Sequence, residues 1–278
     1  VNLRVDDILG EGLLAHQDLR WLPLLYDLGS CEPALALKYQ LLATTSICNS
    51  CKVELMQAAH CMQITYTPAA SAGASGAFTL TGLTSTAGIA TGMLVTGTNV
   101  GTAPNYVTSI DSASAVHVSV ANAGTVTSGT VVFTGDSFKI SLIKVSPTGT
   151  YNNTLSNAGT PNNSTGGTPS ATNIGTDEVA ASGTYAAGGM ALTNVSPILS
   201  TNTACGSFSN VSITGATIST VSAVIYNTTT RLGASTFSLS ANRTISNHDF
   251  GGTQTVTSGT MTLTMPTQAA GTSLLQIA

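Results

Sequence analysis

Beyond residue 65, apolar and small polar side chains take turns along the chain, and a period of two is the pattern of a half-buried β-strand. Phe78-Thr79-Leu80-Thr81 and Val116-His117-Val118-Ser119-Val120 alternate strictly, and Thr130-Val131-Val132-Phe133-Thr134 is a short apolar run. Gly82, Gly88, Gly92 and Gly97 punctuate them as turn signals. The same reasoning predicts strands over Phe138–Val145, Met190–Val195, Val221–Tyr226, Arg243–Phe250, Thr253–Val256 and Met261–Met265. Phe250-Gly251-Gly252 reads as a strand end and turn, and Ser258-Gly259 as the turn of a closing hairpin. In that hairpin Met261, Leu263 and Met265 share an apolar face, with Thr262 and Thr264 opposite. Such a face requires a second layer, so the expected class is mainly β, built on a β-sandwich. Residues 146–182, rich in Asn, Thr, Gly, Ser and Pro, are too long for an ordinary loop and are expected as a surface excursion held by neighbouring subunits.

Residues 1–65 have a different texture. They hold 11 of the 20 charged residues, four of the five Cys and the single Trp. Ile8, Leu9, Leu13, Leu14, Leu19, Leu22 and Leu25 recur at helix-compatible spacings over Val5–Leu28, interrupted by Gly10, Gly12 and Pro23. Pro33 suits the first turn of a second helix over Ala34–Ala43, and a third is predicted over Ser50–His60. All three are too short to stand alone and need a surface to pack against.

Composition narrows the function. Only 7% of residues are charged, against roughly a quarter in ordinary soluble proteins. A net charge of −4 supplies no basic field for nucleic acid. No apolar run reaches the roughly 20 residues of a membrane span, and the first residues lack the pattern of a secretory signal, so neither membrane insertion nor Sec export is expected. Little electrostatic repulsion opposes association of so neutral a surface, which favours a protein buried against partners in an assembly, a homo-oligomer among them.

Few residues invite chemistry. Cys48-Asn49-Ser50-Cys51 followed by His60-Cys61 offers three thiolates and an imidazole for tetrahedral zinc, yet the spacing after the CxxC is wrong, and the favoured reading is helix residues facing a core. No βαβ pattern surrounds the CxxC to suggest redox work, and five Cys imply no disulfide framework. His248-Asp249 resembles part of a triad, but neighbours on a strand point to opposite faces and no GxSxG elbow supplies a nucleophile. Asp177-Glu178 is a paired acidic site able to meet a cation, expected instead as a solvated loop. Asn-x-Ser/Thr triplets such as Asn152-Asn153-Thr154 arise by chance in this composition, and no P-loop, dinucleotide fingerprint or HExxH occurs. No catalytic, cofactor-binding or metal residue is therefore assigned, and the chain is not expected to be an enzyme.

Three blocks carry a family likeness. The run from Asn49-Ser50-Cys51-Lys52-Val53-Glu54-Leu55 to His60 resembles a helix of the type NSFKxELLxGxHNF. Gly135-Asp136-Ser137-Phe138-Lys139-Ile140-Ser141-Leu142 resembles a strand of the type GDTFKIALY. Residues 243–266, with Asp249-Phe250-Gly251-Gly252 and Thr255-Val256-Thr257-Ser258-Gly259, are similar to a closing element of the type AVxDFGGxxTVTxGxFTLxFP. Ser182–Gly189 and Ala223–Asn227 add landmarks. Together they resemble small structural proteins of tailed bacteriophages, over about residues 48–65 and 135–278. Leu80–Met93 looks like a β module inserted in many phage surface proteins.

The resemblance implies a virion domain of residues 48–65 and 135–278, from which the chain departs twice: a β module is inserted at 66–134, and a helical N-terminal extension at 1–47 precedes the usual start, either an anchoring arm or a misassigned start of the reading frame. It implies a virion location, with assembly in the bacterial cytoplasm and the major capsid protein or other virion proteins as partners. The leading function is a capsid decoration (cement) protein or head fibre. A tail-associated adhesin that contacts a host receptor or glycan is the alternative. The resemblance brings no catalytic residues, cofactor or metal, and it reads Cys51 and His60 as members of a structural helix.

Overall fold

The two longest strands, of 17 and 22 residues, lie side by side in the largest sheet, whereas the strictly alternating stretches at 78–81 and 116–120 form strands of only two and four residues. The computed structural model describes residues 37–40, 45–56, 60–232, 238–239 and 241–277. In chain order these are β1 (Leu37–Gln40), β2 (Thr45–Ile47), helix α1 (Asn49–Met56), β3 (Thr79–Leu80), β4 (Leu94–Thr96), β5 (Val107–Ser112), β6 (Ala115–Val118), β7 (Val132–Thr134) and β8 (Phe138–Lys144). There follow β9 (Met190–Leu192), β10 (Asn194–Ser200), β11 (Thr203–Phe208), β12 (Val211–Asn227), β13 (Arg231–Leu232), β14 (Ser238–Leu239), β15 (Arg243–Thr264) and β16 (Leu275–Ile277). The protein is mainly β, with several sheets.

The main sheet has the order β1-β15-β12-β8-β9, with β2 also pairing to β15. β12 and β15 run antiparallel from Val211 opposite Leu263 to Asn227 opposite Arg243. Alternation then sorts the central side chains. Ala223 faces Leu142 and Ile225 faces Ile140, and these four belong to one buried cluster. Val224, one residue out of phase, joins Ile143 and Tyr226 in a different cluster with Leu155, Ala158 and Ile174. Both faces of the sheet are thus covered by apolar side chains, which is why β12 reads as a near-continuous apolar run over Ala223–Tyr226. The first cluster is closed by the three-stranded sheet β10-β11-β16, whose Phe208 ring meets Phe138 at 5.1 Å between centroids.

Residues 146–182 form the cover of the second face. The excursion expected to lean on neighbouring subunits supplies its own apolar contacts, Leu155, Ala158 and Ile174, to the sheet beneath. A third apolar cluster lies within residues 61–133, where Leu80, Met93, Val95, Val107, Val116 and Phe133 pack between β3-β6-β5 and β4-β7. The strands entering and leaving that region lie side by side: Tyr66 and Phe133 exchange both backbone hydrogen bonds, and Asp136 N–H donates to the Cys61 carbonyl at 2.7 Å. All the described residues belong to one unit, residues 36–278.

Three expectations need correction. The segment 34–43 was expected to be helical, but Leu37–Gln40 is a strand pairing parallel with Met261–Thr264. Ladder bonds to the open edge of β15 outweigh the modest helix preference of Ala and Leu. Thr45–Ile47 is likewise strand, so the described part of residues 1–47 is not helical. The helix expected over Val5–Leu28 lies outside the described residues. The third correction concerns β15, which is one strand of 22 residues rather than three strands joined by turns. Ala216 pairs with Gly259 and Ile218 with Val256, so Thr257 and Ser258 oppose Thr217 alone. That is a bulge, with Ser258 at φ +47° and its N–H donating to the Thr217 hydroxyl. A wider bulge sets Phe250–Thr253 against Val221, with Gly251 at φ +70°. Pairing with β12 resumes after each irregularity, so the turn-forming residues bend the strand without reversing it.

Candidate functional site

Among the described residues, six charged side chains meet at two structural joints. Glu54 projects from α1 and is buried, and Arg243 opens β15 and grips it, Nε donating to Oε1 at 2.6 Å with Nη2 on the same oxygen. The other carboxylate oxygen meets His60 Nε2 at 2.7 Å. His60 Nδ1 lies 2.8 Å from the Asn227 amide nitrogen, at the end of β12. Because the Asn227 oxygen accepts the Thr229 N–H, its nitrogen is the donor, so Nδ1 accepts and Nε2–H donates to Glu54. The Asn227 nitrogen also donates to Asp136 Oδ2, which accepts the Cys61 N–H at 2.9 Å. One chain of bonds, Arg243–Glu54–His60–Asn227–Asp136, therefore ties α1, β12, β15 and both strands at the root of the 61–133 region. Burial works against the Glu54 carboxylate, yet the hydrogen bonds from His60 and Arg243 prevail and its pKa falls below the ordinary 4.5.

A second joint lies under the 146–182 excursion and corrects the reading of Asp177-Glu178 as a solvated loop. Both side chains are buried. Asp177 accepts from Gly149 N–H at 2.7 Å, the Thr148 hydroxyl at 3.0 Å and the Tyr151 hydroxyl at 2.8 Å, and pairs with Lys144 Nζ at 3.1 Å. Burial opposes ionisation there, but these donors outweigh it and hold the carboxyl at about 2. Glu178 accepts from the Tyr185 hydroxyl at 2.8 Å, the Ser141 hydroxyl at 3.2 Å and Gly188 N–H at 2.9 Å. Here burial prevails over the hydrogen bonds and raises the pKa. A short turn, Gly175–Asp177, aims the adjacent carboxylates at different donor sets, so the pair staples the excursion to β8 from two directions.

The other sequence candidates are dispersed. Cys48 and Cys51 are fully buried in the cluster on the first face of the main sheet, whereas Cys61 packs into the cluster of residues 61–133. Cys48, Cys51 and Cys205 are free thiols, and burial pushes Cys51 up to about 12. His60 is engaged with Glu54 and Asn227, and no group of three or more potential metal ligands occurs among the described residues. His248 is fully buried and Asp249 exposed. His248 Nε2 lies 2.9 Å from the Ser246 hydroxyl, two residues back on the same strand face. Both are sealed from solvent, and burial drops the histidine to about 4. A nucleophile beside a base has no use where substrate cannot reach it.

Sequence reasoning missed Glu54, Asp136, Asn227 and Arg243 as a unit. A signal was available: a lone charge in an otherwise neutral strand or helix must find a partner if it is buried. No protein-family model, curated protein or solved structure matches the chain.

Proposed function

We propose that the chain is a structural component of a tailed-phage particle, a decoration protein or head fibre on the capsid surface, and not an enzyme. Its fold is then a β-sandwich virion domain with an inserted β module spanning 66–134. One observation carries the reading: residues 179–230 and 250–278, which supply β9–β12, most of the outer half of β15 and β16, contain no Asp, Glu, Lys or Arg. Strands without charge present faces that neighbouring subunits cover at little desolvation cost. Several of the charges that remain in the β-rich part are drawn into internal joints, Lys144 with Asp177 and Arg243 with Glu54 of α1. The blocks resembling phage structural proteins supply the joint around Glu54, since Glu54, His60, Asp136, Asn227 and Arg243 all fall in them.

The test is the behaviour of particles from which the chain has been deleted. Heads that form but rupture sooner on heating or osmotic shock support a decoration role. Immunolabelling that finds the chain on tails alone would replace the head assignment with the adhesin reading, and its absence from purified particles would defeat both.

A further inference from the structure

The small sheet β10-β11-β16 has two edges of different character. β10 carries Pro197, which has no N–H to offer, and its register with β11 slips between Val195 and Ile198. Prolines and irregularities of this kind blunt an edge against further pairing. β16 carries neither: Leu275, Gln276 and Ile277 pair in regular antiparallel register with Ala204–Gly206 and, among the described residues, with no other strand. The face leading to this open edge is apolar. Leu199 lies opposite Ala204, and Ala204 opposite Ile277, so the three form one cross-strand row. Leu199 is 73% exposed and Ile277 59%. An apolar cavity of about 230 Å³ opens beside the row, lined by Met62, Pro197 and Leu275 and by Ala204 and Ile277 of the row itself.

We propose that β16 and this row are the contact surface for a second copy of the same chain, the two β16 strands pairing antiparallel about a two-fold axis. The proposal rests on the particle reading above and names one of its partners. A second copy fits on charge, since the sheet bears no ionic group to recognise a charged partner and none to repel an identical neutral face. It fits on geometry too. A three-residue strand pairs with its own copy over its full length only when centred on Gln276, which sets Leu275 opposite the partner copy's residue 277. Leu275 and Ile277 share a face, so the apolar row continues through the axis into a six-stranded sheet.

Sedimentation of the full chain tests this. The native protein is expected at twice 28.0 kDa or a multiple of that. The double variant Leu199→Lys, Ile277→Lys is expected to halve that mass and still melt cooperatively, because both side chains face solvent in the single chain. Val53→Lys, on the exposed side of α1, is expected to leave the mass unaltered. Should the double variant misfold, Gln276→Cys decides: mild oxidation is expected to cross-link two copies through position 276, and Ile110→Cys, exposed elsewhere, is not. A monomeric native chain, or a dimer indifferent to Leu199→Lys, Ile277→Lys and uncross-linked by Gln276→Cys, overturns the proposal. Particle composition is scored separately: a monomeric chain still present on heads overturns self-association alone, whereas a dimer missing from particles overturns the functional reading alone.

Discussion

In a chain with so few charges, single carboxylates carry structural weight, and Asp177 illustrates the sign of the effect. Its folded-state pKa of about 2 lies below the ordinary 3.8. The stabilisation is therefore complete above pH about 4 and is lost as the pH falls through about 2, a span worth on the order of 2 kcal/mol. Glu178 runs the other way: burial lifts it above 4.5, so its contribution is greatest below that value and fades as the pH rises through the raised pKa. Thermal melts between pH 4 and 2 should show a falling midpoint for the native chain and a flatter one for Asp177→Asn. An equally steep fall in the variant would place the acid sensitivity elsewhere. Glu54 and Arg243 should be coupled. In a double-mutant cycle of Glu54→Gln and Arg243→Gln, each single change strands a partner, and an interaction energy of about 1–3 kcal/mol is expected from denaturant melts. Additive effects would show that the two ends of this joint are independent.

At the scale of elements, close backbone approach fixes where the chain can carry a side chain. A Cβ at Gly135 would lie 2.0 Å from the Gln63 carbonyl oxygen and 2.9 Å from that of Cys61, at the crossing of the two root strands. Gly135→Ala should destabilise the protein by at least about 2 kcal/mol in chemical denaturation, and a neutral result would mean that the two segments part readily at the crossing. Much of the element pattern was legible in the sequence because alternation is a direct imprint of a two-faced strand. β8 begins at Phe138 as expected, and Met261, Leu263 and Met265 are buried while Thr262 and Thr264 are less so. The continuity of β15 was not legible. Gly251 and Ser258 have the chemistry of turns, and only the unbroken partner strand β12 turns them into bulges. β1 was misread for a related reason: its strand state depends on an edge more than 200 residues away in sequence, which no local propensity records. The joint around Glu54 was hidden likewise, since its members come from α1, the root strands and the far ends of β12 and β15.

Across the whole molecule, the buried apolar side chains of the described residues fall into three separate clusters. The cluster of residues 61–133 shares no member with the clusters on either face of the main sheet. Because Tyr66 and Phe133 are hydrogen-bonded neighbours, replacing residues 67–132 by a short Gly-containing turn should leave a chain that melts cooperatively, with its β circular dichroism preserved. Loss of cooperative melting would show that the main sheet needs the inserted part to fold. The larger claim is that the neutral strands are made to be covered by neighbours in a particle. Single-particle reconstruction of the intact phage tests it most directly. The account predicts many symmetry-related copies on the head, with β10, β11 and β16 facing another subunit. Particles whose heads carry no density for this chain, or copies whose β10-β11-β16 sheet stands bare in solvent, would contradict it.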